Sequence, residues 1–131
     1  MNIIQLPSAR VSEINNYILA EFPGHQGPEN SGLLEGALGR IGNAIAYNGL
    51  DDVFLIASKH AMAIAAAHAF SDANKRTALA VCLAYLSLNG YRLQQDHELL
   101  ADAIVDLVVG ELTEDAFADI LYSLWLSEQS E

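Results

Sequence analysis

Ten consecutive residues, His68-Ala69-Phe70-Ser71-Asp72-Ala73-Asn74-Lys75-Arg76-Thr77, carry side chains that could do chemistry together. His68 brings an imidazole, the side chain best suited to take a proton near neutral pH and therefore the natural general base. Asp72 offers a hard carboxylate oxygen of the kind Mg²⁺ accepts alongside substrate phosphates. Asn74 can donate an amide hydrogen bond, and Lys75 and Arg76 bring two adjacent cations. If a helix opens near Asn74, those cations stand in its first turn, where the helix dipole already leaves about half a positive charge. Cations are unfavourable there unless an anion completes the arrangement, so Ala73, Asn74, Lys75 and Arg76 read as the phosphate side of a site. Phe70, two residues after His68, fits an apolar anchor that holds base and phosphate site at a fixed spacing.

Each of these residues has a plainer reading when taken singly. Asp72 alone reads as a helix cap, Lys75 and Arg76 as solvated surface charges, and Phe70 as core. Their joint spacing tips the balance toward a site. The other titratable residues lack such company. His60 lies eight residues before His68, so the two share a helix face at ~12 Å, too far apart to ligate one metal, and His60 reads as a satisfied interior histidine. His25 falls in a Gly/Pro loop and His97 near a helix start, both expected at the surface, while Cys82, Tyr85 and Trp125 read as packing residues.

The elements that must position this segment follow from apolar periodicity and its punctuation. Ser8 is a candidate cap for a first helix reaching Glu21, with Val11, Ile14, Ile18 and Leu19 at helical spacing. The run Pro23-Gly24-His25-Gln26-Gly27-Pro28 breaks the chain. Ser31 then caps a second helix bearing Leu34, Leu38, Ile41 and Ile45, which ends near Asn48-Gly49. Asp51 opens a third, running through Val53, Ile56, His60, Ile64 and His68, with alanines that let neighbouring backbones approach closely. After a break at Ala69 to Ala73, a fourth helix covers about Asn74 to Leu88, apolar on more than one face and so buried on several sides. Asp96 starts a fifth reaching Val109, and Thr113 a sixth ending around Leu126. The expected fold is all-α: a bundle of about six helices in one domain over 1–131, with the reactive loop between the two central helices.

Composition narrows the function classes. Seventeen acidic against six basic residues give a formal charge of −11, which repels a nucleic-acid backbone and excludes direct DNA or RNA binding. A small anion is still admissible, because physiological salt confines distant charges to about 8–10 Å. One cysteine, Cys82, rules out an intramolecular disulfide and a thiolate zinc cluster. The apolar stretch Thr77 to Tyr91 is shorter than the ~18–20 residues a bilayer span needs, and Met1-Asn2-Ile3-Ile4-Gln5 lacks the basic start of a secretory signal. A soluble cytoplasmic protein with no membrane partner is expected.

The segment His68 to Ala78 resembles the signature of the Doc (death-on-curing) toxins within the Fic superfamily. Gly32-Leu33-Leu34-Glu35 and Tyr85-Leu86-Ser87-Leu88-Asn89-Gly90 are similar to family stretches at comparable distances, whereas the first ~20 residues and the last helix agree only in length and pattern. The resemblance implies ATP and Mg²⁺ as cofactors. It implies that His68 deprotonates an acceptor hydroxyl, that Asp72 ligates Mg²⁺, that Asn74 and Arg76 bind phosphate, and that Phe70 is the buried anchor. The commoner Fic enzymes, which transfer AMP to protein hydroxyls, carry Gly at the position of Lys75 and Arg at that of Leu79. Departure at both positions is a Doc trait, accompanied there by a reversed nucleotide that delivers its γ-phosphate. Lys75 gives the difference a physical basis, since its side chain fills space that Gly leaves open and adds charge beside it. The implied activity is that of a toxin kinase acting on a threonine of elongation factor Tu, which blocks translation, and the implied partner is a Phd-like antitoxin. AMP transfer and a non-catalytic binding module are the alternatives.

Overall fold

The computed structural model describes residues 4–21, 29–68, 73–94 and 97–129. They form six helices in the order α1 (Ser8–Glu21), α2 (Ser31–Tyr47), α3 (Val53–Ala67), α4 (Asn74–Leu88), α5 (His97–Val109) and α6 (Glu114–Gln129), with no strand among the described residues. The all-α bundle expected from periodicity is what the chain adopts.

The helix ends show which local chemistry prevailed. Pro7 supplies the carbonyl that accepts from Arg10 and Val11, so Ser8 stands inside the first turn of α1 and is not its cap. At α2 the cap is Asn30 and not Ser31: its extended backbone lets Oδ1 accept from the Leu33 N–H at 3.1 Å, and Ser31 becomes the first helical residue. Asp52 and not Asp51 caps α3, accepting from both Phe54 and Leu55. Thr113 caps α6 as expected, its hydroxyl accepting from Ala116 at 3.0 Å. That helix runs on to Gln129, beyond the expected end at Leu126. The proposed start of α5 at Asp96 lies outside the described residues. At the end of α4, Gly90 takes a φ of 95°, open to a residue without Cβ, and Tyr91 donates back to the Leu86 carbonyl at 2.8 Å.

The centre of the bundle is the antiparallel hairpin of α3 and α4. Ala57, Ala61 and Ala65 make a row of small residues along α3, all buried, which lets the two backbones pack closely. Across from them α4 buries Ala78, Val81, Cys82 and Tyr85. Helices α2 and α6 also pack on α3, α1 packs on α4, and α5 packs on both, so α3 lies mid-bundle as its composition predicts. His60 stacks on Tyr85 with ring centroids 4.7 Å apart and donates through Nδ1 to the Ile56 carbonyl. It is the satisfied interior histidine the spacing suggested, and burial lowers its pKa below the usual 6.5. Phe54, Tyr91, Tyr122 and Trp125 form an aromatic cluster joining the start of α3 to α6. The other end of α6 is fixed by Ser58, which donates to the Glu114 carbonyl, and by the Lys59–Glu114 ion pair at 2.9 Å. No helix among the described residues is long and apolar enough to cross a membrane.

Candidate active site

Two helix ends meet at one end of the central hairpin. Helix α3 stops at Ala67, and His68 follows as its C-cap in the left-handed region (φ 51°, ψ 39°). His68 was expected to continue the helix; instead its backbone turns out of it, leaving the residue exposed. Helix α4 begins after Ala73, which is also left-handed (φ 62°, ψ 27°). Neither residue is glycine, and a side-chain-bearing residue in this region costs about 1–2 kcal/mol. Such conformations, one closing α3 and one preceding α4, persist only where the surrounding structure fixes them, and they cluster at functional sites.

His68 stands at the end of α3 and Ala73, Asn74, Lys75 and Arg76 stand at the start of α4, five to eight positions further along the chain, and these two helices pack on each other. Lys75 and Arg76 are exposed and Asn74 is half-buried. The first turn of α4 contains no acidic residue, and Ala73 has no side chain with which to cap it. Two cations therefore sit at the positive end of a helix dipole, which suits the site to an anion of high charge density. Phe70 and Asp72, the expected anchor and Mg²⁺ ligand, and His25 of the Gly/Pro loop lie outside the described residues. Among the described residues no group of three His, Cys, Asp or Glu side chains is placed to hold a metal by itself. The donors that are described fit phosphate, and Mg²⁺ held by one carboxylate together with phosphates needs no larger protein cluster.

The floor beneath the turn contains residues that periodicity alone did not single out. Ala73 is buried against Ile18 and Leu19 of α1, tying the left-handed cap to a second small apolar cluster. One turn into α4, Thr77 is fully buried and accepts a 2.9 Å hydrogen bond from Asn15 Nδ2 of α1. Asn15 is itself only 4% exposed. It stands at a core position of α1, in the row Val11, Asn15, Ile18, Leu19. A polar residue in that row is the signal that could have revealed it, since a buried amide must find a partner.

Residues 5–86, from the start of α1 through most of α4, match the model of the Fic/DOC family. The chain belongs to that family. It is also 34% identical over 111 residues to protein kinase doc of Escherichia phage P1, an alignment covering 85% of this chain and 87% of that protein. The Fic/DOC match includes both helices of the hairpin and the whole turn, so the segment His68 to Thr77 falls within it. It stops before α5 and α6, which only the longer alignment can reach.

Proposed function

We propose that this chain is the toxin of a toxin–antitoxin pair and a protein kinase, a single Fic/Doc-like domain that acts in the cytoplasm. It transfers the γ-phosphate of ATP to a threonine hydroxyl of a target protein, elongation factor Tu, and so blocks translation. The observation that carries this reading is a left-handed, exposed His68 closing α3, followed within eight positions by the cationic first turn that opens α4. Support also comes from likeness to a protein named as a kinase.

An imidazole nitrogen of His68 takes the proton of the acceptor hydroxyl. The hydroxyl oxygen forms a bond to the γ-phosphorus as the bond from that phosphorus to the bridging oxygen breaks, and ADP leaves. Lys75, Arg76 and the Asn74 amide hold the phosphates in line, with Ala73 presenting the start of α4 to them. Asp72 would hold Mg²⁺, whose charge offsets that of the phosphates when bound. Phe70 anchors the turn. A Phd-like antitoxin is the partner that restrains this activity.

The test is incubation of the purified chain with elongation factor Tu and ATP labelled at either the α- or the γ-position. Label should pass from the γ-position only. Lys75→Gly should lower γ-transfer, because it removes both the cation and the bulk beside the phosphates. Transfer of the α-label instead would establish AMP transfer, and transfer of neither label would leave a binding module.

A further inference from the structure

Helices α5 and α6 touch only lightly, and between them lies a groove of about 890 Å³. Its floor is apolar. Leu99 and Ala103 line it from α5, one turn apart, and Ile120 and Leu124 line it from α6 at the same spacing. Leu99 is 48% exposed, a large apolar surface left open to water. The edges of the groove are acidic: Glu98, Asp102 and Asp106 recur every fourth residue along α5, and Asp119 stands on α6. No Lys, Arg or His side chain lines it. Among the described residues, none of these four carboxylates takes part in an ion pair.

We propose that this groove docks an amphipathic helical segment of another protein, with an apolar stripe flanked by Lys or Arg. The two helical rows of the floor present apolar surface at one-turn intervals, the spacing at which a helix offers its own i, i+3, i+4, i+7 stripe. Glu98 to Asp106 spans about 12 Å, comparable to the screening length at physiological salt, so the three carboxylates act together on cationic flanks. Anionic lipid and nucleic acid are repelled by the same row. A second copy of this chain is a poor occupant. With six basic residues against seventeen acidic, self-pairing across a two-fold axis would set these carboxylates against one another. The groove also lies wholly beyond residues 5–86, so it is a surface outside the part of the chain that matches the family model. The inference does not rest on the transfer reaction.

The experiment uses the full chain, isotopically labelled for NMR, and two synthetic helical peptides of about four turns. Both carry Leu on one stripe; one has Lys on its flanks and the other Glu. The Lys peptide should shift resonances of α5 and α6, bind less tightly as salt rises, and bind at least about tenfold better than the Glu peptide. Asp102→Asn with Asp106→Asn should weaken it about three- to tenfold, the range expected for losing two exposed charge contacts. Leu99→Ser should abolish binding with the helical circular dichroism unchanged. Equal binding of the two peptides, no binding, or shifts confined to the α3–α4 end would each overturn the proposal. So would sedimentation as a dimer whose interface covers Leu99. None of these readouts depends on phosphate transfer, so failure here is separable from failure of the kinase reading.

Discussion

Thr77→Val probes how the turn is held, because it keeps the shape of a β-branched side chain and deletes one hydroxyl. In the native chain that hydroxyl accepts from Asn15 Nδ2 at 2.9 Å, with Thr77 fully buried and Asn15 nearly so. Valine leaves the Asn15 amide without this acceptor in a place water does not reach. Removing one partner of a buried hydrogen bond costs about 1–3 kcal/mol, whereas the similar volumes of threonine and valine leave little cavity. Unfolding entropy near 2.1 cal/mol/K per residue gives about 275 cal/mol/K for 131 residues, so the melting temperature should fall by about 4–11 °C. Thr77→Ser, which keeps the acceptor and loses a methyl, is the control and should recover most of the loss. Because Thr77 directly follows Arg76, the last of the proposed phosphate-side residues, γ-label transfer by the valine variant should also fall, measured well below its melting temperature. The reasoning fails if the valine variant melts within a degree of the parent. It fails equally if serine is as damaging as valine, since the methyl contact would then outweigh the hydrogen bond.

The remaining predictions concern three other histidine and cysteine positions. His68→Gly should raise the melting temperature by about 4 °C, since glycine takes φ 51° without the roughly 1 kcal/mol cost of a side chain, while transfer falls a hundredfold or more; a lower melting temperature or undiminished transfer would contradict it. His60 is neutral in the fold because burial lowers its pKa below 6.5, so the unfolded chain binds this proton more readily. Its contribution to stability is whole above that value and is lost as pH falls through it, with a slope approaching about 1.4 kcal/mol per pH unit. Urea midpoints at about pH 7.5 and about pH 5.5 should differ less for His60→Gln than for the parent, and an unchanged difference would place the sensitivity elsewhere. Burial pushes the Cys82 thiol up to about 12, so a thiol reagent at neutral pH should label it only as fast as the chain unfolds, and prompt labelling of the native protein would show that the core around it opens.

The fold was legible because its determinants are local. Apolar residues recur at helical spacing and short Gly, Pro and Asn clusters separate them, which set six helices in order with most ends within a few residues. The errors at the starts of α2 and α3 have one cause. Where two cap-forming residues stand side by side, as in Asn30-Ser31 and Asp51-Asp52, their types cannot say which adopts the extended backbone that a cap requires. Packing of the first apolar turn decides that, and it chose the earlier residue at α2 and the later one at α3.

The candidate residues could be named from the sequence, and the contacts that position the start of α4 could not. His68, Ala73, Asn74, Lys75 and Arg76 lie within nine positions of chain, at the end of α3 and the start of α4. What holds the start of α4 is non-local. Asn15 reaches Thr77 across 62 positions of chain, and Ile18 and Leu19 press on Ala73 from the same helix. The left-handed backbones of His68 and Ala73 carry no sequence signature, because a glycine would have announced them and neither position has one. Under the proposed kinase chemistry, His68 forgoes glycine because only a side chain can take a proton there. For Ala73 it is mechanical: a methyl group fills the contact with α1 that glycine would leave empty. Strain at the one and packing at the other thus flank the same short stretch of chain, and α1 supplies the contacts that fix the start of α4.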